Sequence, residues 1–450
     1  MRRIAAALAC GALLLAVPLV AAGGPPNHDA PSPPDSVAAD PFLQYLESLG
    51  QDSDSSFSGY SLEKLPISGG QIDSLVGIYE ETGEVPDIST VSDHKWRLSP
   101  GLAAVRYNRV EGLNVMPELT AHLPTQRRIE AFGGVGYATA SREVTWQAGC
   151  RAQVMQGGGG PILEAEYAHD LRRYGSGGMM GNSITAILAG GDYEDYFLGE
   201  GWKIGVRTRP RPYQFDVAYR VEDQDSLANE APFHFFRGDG AFLPNPPIDP
   251  GRVRCVELGV AANDLPIGLA SGAAQVTVAG NGLGGDFDYE TWEAGLAATR
   301  KLWFGDLLVA RASGGGVAGD APFQALHHLG GFRTLRGYRV NEIPARQFAH
   351  LSLDYEIGTN LLRGVPMLGG LKIQAVPFCD GAAIFQTQER DGTVVDLDDP
   401  EWRFAAGLGL QKNFLGIPGR SGWLRIDITR RLDRGEDAFT CRAQITVERL

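Results

Sequence analysis

Beyond residue 22 the chain has no uninterrupted apolar run of the roughly 18 residues that a membrane-crossing helix needs, and 21% of it is charged, so a helical membrane protein is excluded. Cysteine is scarce and scattered: Cys10, Cys150, Cys255, Cys379 and Cys441 stand singly, with no metal-type spacing and no disulfide framework, and read as isolated residues. Positive charge is also in deficit, 40 Lys and Arg against 54 Asp and Glu, which gives a formal net charge of -14 and argues against nucleic acid as a partner. His-Glu-x-x-His, a phosphate loop ending in Gly-Lys-Ser/Thr, and Gly-x-Ser-x-Gly are all missing. Nothing therefore nominates an enzyme or calls for a cofactor.

What the chain does have begins with Arg2 and Arg3, an apolar stretch from Ile4 to Val20, and the small residues Ala21 and Ala22. This order of charge, apolar run and small residues reads as a secretory signal over residues 1–22. Its removal takes Arg2, Arg3 and Cys10 with it and leaves a net charge of -16. Residues 23–95 are rich in Pro, Ser and Asp and read as a mostly disordered leader on the periplasmic side, with short helical candidates at Asp40–Leu49 and Gln71–Glu81.

From Trp96 onward the hydrophobic period is two. Tyr213, Phe215, Val217, Tyr219 and Val221 alternate with Gln214, Asp216, Ala218, Arg220 and Glu222. Trp202/Ile204/Val206 alternate with Lys203/Gly205/Arg207, Leu424/Ile426/Ile428 with Arg425/Asp427/Thr429, and Ala443/Ile445/Val447 with Gln444/Thr446/Glu448. A soluble sandwich would alternate as well, so the connections must decide. About sixteen such runs lie between Trp96 and Leu450, an even number. The longest gaps, near Arg173–Glu200, Asp223–Pro250 and Gly316–Ala345, all follow odd runs. Short ones such as Pro124–Gln126, Gly157–Gly160 and Arg209–Arg211 follow even runs, with a longer exception near Thr359–Gly370. Sorting of this kind predicts an all-β fold, a transmembrane antiparallel β-barrel of about sixteen strands over residues 96–450, set in outer-membrane lipid. Trp202, Tyr213, Trp303, Trp402 and Trp423 are candidates for its interfacial aromatic girdles.

The same phase places charge. In Leu351-Ser352-Leu353-Asp354-Tyr355-Glu356-Ile357 the apolar residues face lipid, which turns Ser352, Asp354 and Glu356 inward; in the next run Lys372, Gln374 and Asp380 share the inward phase. Ahead of both lies a long gap with the pair Gly330-Gly331 and the tetrad Leu335-Arg336-Gly337-Tyr338. If that loop enters the lumen, Arg336 reaches Asp354 and Asp380, and a planar guanidinium suits two carboxylates better than lysine does. The alternative leaves Arg336 in solvent and the acids on a wet wall.

Leu329-Gly330-Gly331, Leu335-Arg336-Gly337-Tyr338, Leu353-Asp354-Tyr355 and Phe378-Cys379-Asp380-Gly381 resemble the lumen-loop motif and its two acidic strand partners in the BamA/TamA outer-membrane assembly family, the bacterial surface antigen barrels. Phe404–Leu410, Leu415-Gly416 and Leu424–Thr429 are similar to that family's penultimate strands, and Tyr107-Asn108-Arg109-Val110-Glu111-Gly112-Leu113 to the barrel entry of its shorter members. The resemblance is close from about Gln324 to the end and diffuse back to about Trp96. Two departures stand out: the residues before Trp96 lack the helix and strand pattern of the POTRA domains, and the last strand ends in Leu450 where family barrels usually end in an aromatic residue. The resemblance implies a non-enzymatic outer-membrane barrel without POTRA domains that helps insert or translocate unfolded outer-membrane protein clients. Its lateral seam would lie between the first strand, near Trp96–Tyr107, and the last, near Phe439–Leu450. The alternative is a passive pore or structural barrel without assembly activity.

Two motifs read as decoys. Gly280-Asn281-Gly282-Leu283-Gly284-Gly285 has the form of a dinucleotide fingerprint, but a strand-like run rather than a helix follows it, so a hairpin loop is expected. His327-His328 has no third ligand nearby, and no metal site is expected there.

Overall fold

The computed structural model describes residues 97–123, 129–155, 160–175, 182–208, 213–231, 242–265, 270–302, 305–361, 373–390, 392–417, 420–433 and 439–449. The signal, the leader with its two helical candidates, Trp96, Trp303, Lys372, Leu450 and the turn residues Pro124–Gln126 lie outside them.

Sixteen long antiparallel strands form one meander. They are β1 (Arg97–Asn108), β2 (Gly112–His122), β3 (Ile129–Ala138), β4 (Val144–Gln153), β5 (Ile162–Tyr174), β6 (Asp195–Arg207), β7 (Tyr213–Ser226), β8 (Gly251–Leu265), β9 (Ala270–Ala279), β10 (Asp288–Lys301) and β11 (Leu307–Asp320), then, after the three-residue β12 (His327–Leu329), β13 (Ile343–Glu356), β14 (Ile373–Gln388), β15 (Val394–Ile417), β16 (Arg420–Arg431) and β17 (Phe439–Arg449). Each long strand ladders with the next, β11 pairing directly with β13 and β12 adding to the start of β13. The shortest of the sixteen have 10 residues, and at about 3.3 Å per residue a tilted strand of that length crosses a bilayer core.

The two faces differ as the period requires. Leu98, Val105, Val135, Ile204, Phe215, Leu258, Leu351, Leu408 and Ile428 are each 45–61% exposed on the outer wall. Half-exposed aliphatic residues spread over so many strands belong against lipid, since a soluble surface rarely carries a continuous apolar band. The intervening residues turn inward, where Arg425, Asp427 and Thr429 are buried between the exposed Ile426 and Ile428. Trp402 lies on the outer wall, stacked on Phe404 at 5.8 Å, and Trp202 meets Tyr219 edge-on at 5.2 Å.

The long connections, residues 175–194, 227–250 and 321–342, follow the fifth, seventh and eleventh long strands and therefore share one end of the barrel. The first of them contains a helix absent from the sequence expectations, α1 (Asn182–Ala189). The expected gap at Gly316 is also shorter than the sequence suggested, because β11 runs on through Gly314-Gly315-Gly316 to Asp320. Side chains there would have no room: a Cβ at Gly315 would lie 2.7 Å from His327 and Phe348, and one at Gly316 would lie 2.4 Å from Trp292 Nε1. Residues 280–287 form a hairpin loop with one 3-10 turn, Asn281–Leu283, leading straight into β10.

At the long-loop end the interior is packed. Tyr174, Phe197, Val253, Tyr289 and Val317 from the wall enclose Phe323 and Leu326 of the third loop. A second cluster joins Leu329, Leu335 and Tyr338 of the same loop to Ala345, Phe348, Ile384 and Ala405. The loop thus lies inside the barrel.

Candidate functional site: a loop clamped to the inner wall

Glycine lets the third loop turn back on itself. Gly330 and Gly331 have φ of 119° and 96°, and a Cβ at Gly330 would lie 2.0 Å from the Arg339 carbonyl oxygen. Gly330 N–H donates to Thr334 Oγ1 at 2.8 Å and Gly331 N–H to the Leu335 carbonyl at 3.1 Å. These contacts hold Leu335 and Tyr338 against the wall and direct Arg336 along it. Gly337, with φ of 102°, lets the backbone pass 3.0 Å from the Thr429 methyl, measured to where its Cβ would be.

Arg336 is buried, and Asp380 on β14 takes most of its donors. The Arg336 backbone N–H reaches Asp380 Oδ2 at 2.9 Å, Nε the same oxygen at 2.8 Å, and Nη2 the other oxygen at 2.6 Å. Nη2 also meets Ser352 Oγ at 2.9 Å and Asp354 Oδ1 at 2.7 Å, both on β13. The guanidinium carbon lies 3.7 Å from the centroid of the Phe378 ring, so one plane is used for stacking and its edge for the carboxylates. Burial opposes the charge on Arg336, but the hydrogen bond and proximity of Asp380 outweigh it, and Asp354 adds to them; the group is held charged more firmly than a free arginine.

The wall supplies two further arginines. Asp354 Oδ2 accepts from Arg311 Nη1 on β11 at 2.9 Å and from Arg425 Nη1 on β16 at 3.1 Å, and Arg425 Nε binds Asp427 Oδ1 at 2.7 Å. Three guanidiniums and three carboxylates therefore tie the loop to β11, β13, β14 and β16. Higher up, Arg431 Nε donates to the Gly337 carbonyl at 2.9 Å, and its Nη1 to Glu342 Oε1 at 3.0 Å. The Tyr338 hydroxyl bonds Asp433, which also accepts from Arg403 Nη1 at 2.7 Å. On the opposite wall Asn341 Nδ2 reaches Asp195 Oδ2 at 3.0 Å and the Tyr174 carbonyl at 3.2 Å, so the loop bridges the lumen.

Of the residues singled out from sequence, Gly330, Gly331, Leu335, Arg336, Gly337, Tyr338, Asp354 and Asp380 gather at this one place. Arg311, Phe378, Arg425 and Asp427 were not singled out as members. The inward phase of Arg425 and Asp427 was legible, but their depth follows from the ladder that sets Asp427 opposite Gly409 on β15. Of the pair His327-His328, His328 has its Nε2 3.0 Å from the Phe323 carbonyl and its ring edge-on to Phe323 and Tyr174. Among the described residues no three potential ligands gather.

The described architecture matches solved barrels. The crystal structure of BamA from Haemophilus ducreyi lacking POTRA domains 1-3 aligns at 12% identity over 78% of this chain and 69% of that one, with a TM-score of 0.50. The chain has the fold of an outer-membrane β-barrel. CdiB from Escherichia coli aligns at 12% identity over 78% of this chain and 62% of that one, with a TM-score of 0.44. The outer membrane protein opdK from Pseudomonas aeruginosa aligns at 10% identity over 79% and 96%, with a TM-score of 0.37. At these identities the likeness is one of fold. In sequence, residues 87–257 match a family described as "Family of unknown function (DUF5686) C-terminal domain", a segment that ends within β8, ahead of the clamped loop. No curated protein matches the chain.

Proposed function

We propose that this barrel resides in the outer membrane and helps insert or translocate other proteins there, without chemistry of its own, through a lateral seam between β1 and β17. The observation that carries this reading is an asymmetry of pairing. Every long strand is laddered to its successor, yet among the described residues no register joins β1 to β17. An unpaired strand edge is a template for an incoming strand, and unfolded outer-membrane proteins are chains that must acquire such ladders. The clamp suits the same role. It fixes β13, β14 and β16 to the loop beside the seam, so that the seam can part while the rest of the wall keeps register.

A passive pore would need a continuous water path, whereas the long-loop end is packed by Tyr174, Phe323, Leu326 and Leu335. The test is depletion of the protein in its host, followed by quantification of other outer-membrane proteins. A fall in their abundance is expected. Unchanged abundance together with a steady single-channel conductance of purified protein would replace this reading with the pore.

A further inference from the structure

The edge of β1 that faces away from β2 is not bare at its upper end. Tyr107 stands opposite Leu113 in the β1–β2 register, and Leu113 spends its backbone groups on the other side, its N–H on Thr139 Oγ1 at 3.0 Å and its carbonyl on the Thr139 N–H at 3.0 Å. Tyr107 and Leu113 are therefore a non-hydrogen-bonded pair, and the Tyr107 N–H must point away from β2, toward the seam. It donates to Ser183 Oγ of α1 at 2.9 Å. In a fully closed barrel that donor would belong to another strand.

The helix is fastened there by more than one bond. Ala186, fully buried, packs with Tyr107, Ala231 and Phe242, and Ile187 lies against the same cluster. At its start, Asn182 Nδ2 donates to Asp192 Oδ1 at 2.8 Å and to the Tyr196 hydroxyl at 2.9 Å. Asp192 Oδ2 accepts the Arg109 backbone N–H at 2.7 Å, and Arg109 Nη2 binds Asp195 Oδ1 at 2.7 Å and Asn245 Oδ1 at 3.2 Å. The Arg109 carbonyl in turn accepts the N–H groups of Glu230 and Ala231 at 3.1 and 3.0 Å. Below the turn, Arg106 Nε binds Glu111 Oε2 at 2.6 Å and its Nη1 reaches Asp170 Oδ2 of β5 at 3.2 Å. The top of β1 is thus anchored to the loops after β5 and β7.

We infer that α1 is a latch on the seam edge of β1: it occupies the upper end of that edge, and an extended segment can ladder along the whole of β1 only when the helix has left. This rests on the proposed seam. The segment it competes with is a β-strand, recognised by backbone hydrogen bonds, with this chain's own β17 as the nearest candidate. Strand addition supplies the affinity in such an exchange, and the helix sets the threshold that it must exceed.

The test uses the full chain in lipid nanodiscs with two variants, Ser183→Ala, which removes only the acceptor, and Ala186→Glu, which forces a charge into a fully buried position and expels the helix. Heat-modifiable gel mobility checks that each is folded. Amide exchange at Tyr107 should be slow in the wild type and about tenfold or more faster in both variants, as expected for a donor released from its partner. A synthetic peptide with the sequence of residues 439–449 and a photoreactive group in place of the Phe439 ring should label β1 more strongly in Ala186→Glu than in the wild type. Tyr107 protection equal in all three proteins overturns the latch, and Ser183→Ala alone decides this if Ala186→Glu does not fold. Faster exchange with no gain in β1 labelling keeps the helix on the edge but overturns the seam on which the proposed function depends.

Discussion

Replacing Arg336 with alanine should cost about 3–5 kcal/mol of barrel stability, the usual penalty for stripping one partner from a buried ion pair. The loss falls unevenly. Asp354 keeps Arg311 and Arg425, at 2.9 and 3.1 Å. The Asp380 side chain is 0% exposed and loses both side-chain donors, keeping only the backbone N–H of residue 336. The variant therefore leaves one carboxylate nearly unpaired beside another, and it also removes a guanidinium stacked on Phe378, worth about 0.5–2 kcal/mol. Two controls separate the clamp from charge in general. Arg311→Ala deletes a guanidinium whose side chain is 46% exposed and should cost no more than about 1 kcal/mol. Arg336→Ala combined with Asp380→Ala should be less destabilised than the sum of the two single changes, because each single change strands the partner that the double change removes. Heat-modifiable gel mobility and urea unfolding in detergent or lipid report the wild type and all four variants, Asp380→Ala included. Wild type and Arg336→Ala unfolding at the same temperature, or Arg311→Ala costing as much as Arg336→Ala, would refute the clamp as the element that holds the loop.

Other consequences follow from single residues. Burial lowers the His328 imidazole to about pKa 4 against about 6.5 in an unfolded chain, so its stabilising effect is present above pH 6.5 and is lost as pH falls toward 4. His328→Gln should show a smaller drop in unfolding temperature between pH 7 and pH 4.5 than the wild type, and equal drops would contradict the assignment. Gly330→Ala should misplace the loop and cost about 1–3 kcal/mol or more, because the position combines φ of 119° with a Cβ site 2.0 Å from the Arg339 oxygen; wild-type heat mobility would count against that geometry. In a cysteine-free chain, a cysteine at Asp225 of β7, beside the second long loop, should react with a membrane-impermeant thiol reagent on intact cells, and one at Lys301, the last residue of β10 at the opposite end of the barrel, only after the outer membrane is opened. The reverse pattern would invert the orientation of the barrel.

The alternation along each strand made the barrel legible, because lipid demands an apolar residue at every second position while the lumen tolerates almost anything. Strand parity carried the rest: three long gaps after odd runs could come to one end only if every run crossed once. Arg336 and its two acids were legible for the same reason, since phase alone turns Asp354 and Asp380 inward. Phase does not give height. Whether Arg425 stands level with Asp354 depends on the shear between β13 and β16, which is the product of three successive registers, and no local pattern encodes it. The helix α1 escaped notice for a different reason. Its Asn-Ser-Ile-Thr-Ala-Ile-Leu-Ala run is short, lacks charge and contains two isoleucines and a threonine, so propensity gives it little support, and it is held by Tyr107, Ala231 and Phe242.

Position in the sheet gives the two fastenings different mechanical meanings. The clamp acts through side chains on the inner wall and leaves the backbone groups of β13, β14 and β16 in their ladders, so it stiffens strands that are already paired. The latch acts on a backbone donor at a strand edge, where pairing itself is at stake. A stiff wall on the β17 side makes β1 the more compliant partner, since displacing β16 would break the Arg425 contacts with Asp354 and Asp427, whereas moving the top of β1 disturbs the helix and the Arg109 turn. The long-loop end of β1, where the helix and the Arg109 turn hold it, should therefore be the last part of that strand to yield. Amide exchange resolved along β1 would then be slow at Tyr107 while α1 is seated and rise there once α1 is displaced, while the inward residues of β16 stay protected; exchange starting in β16 would mean that the clamp, and not the latch, is the part that yields.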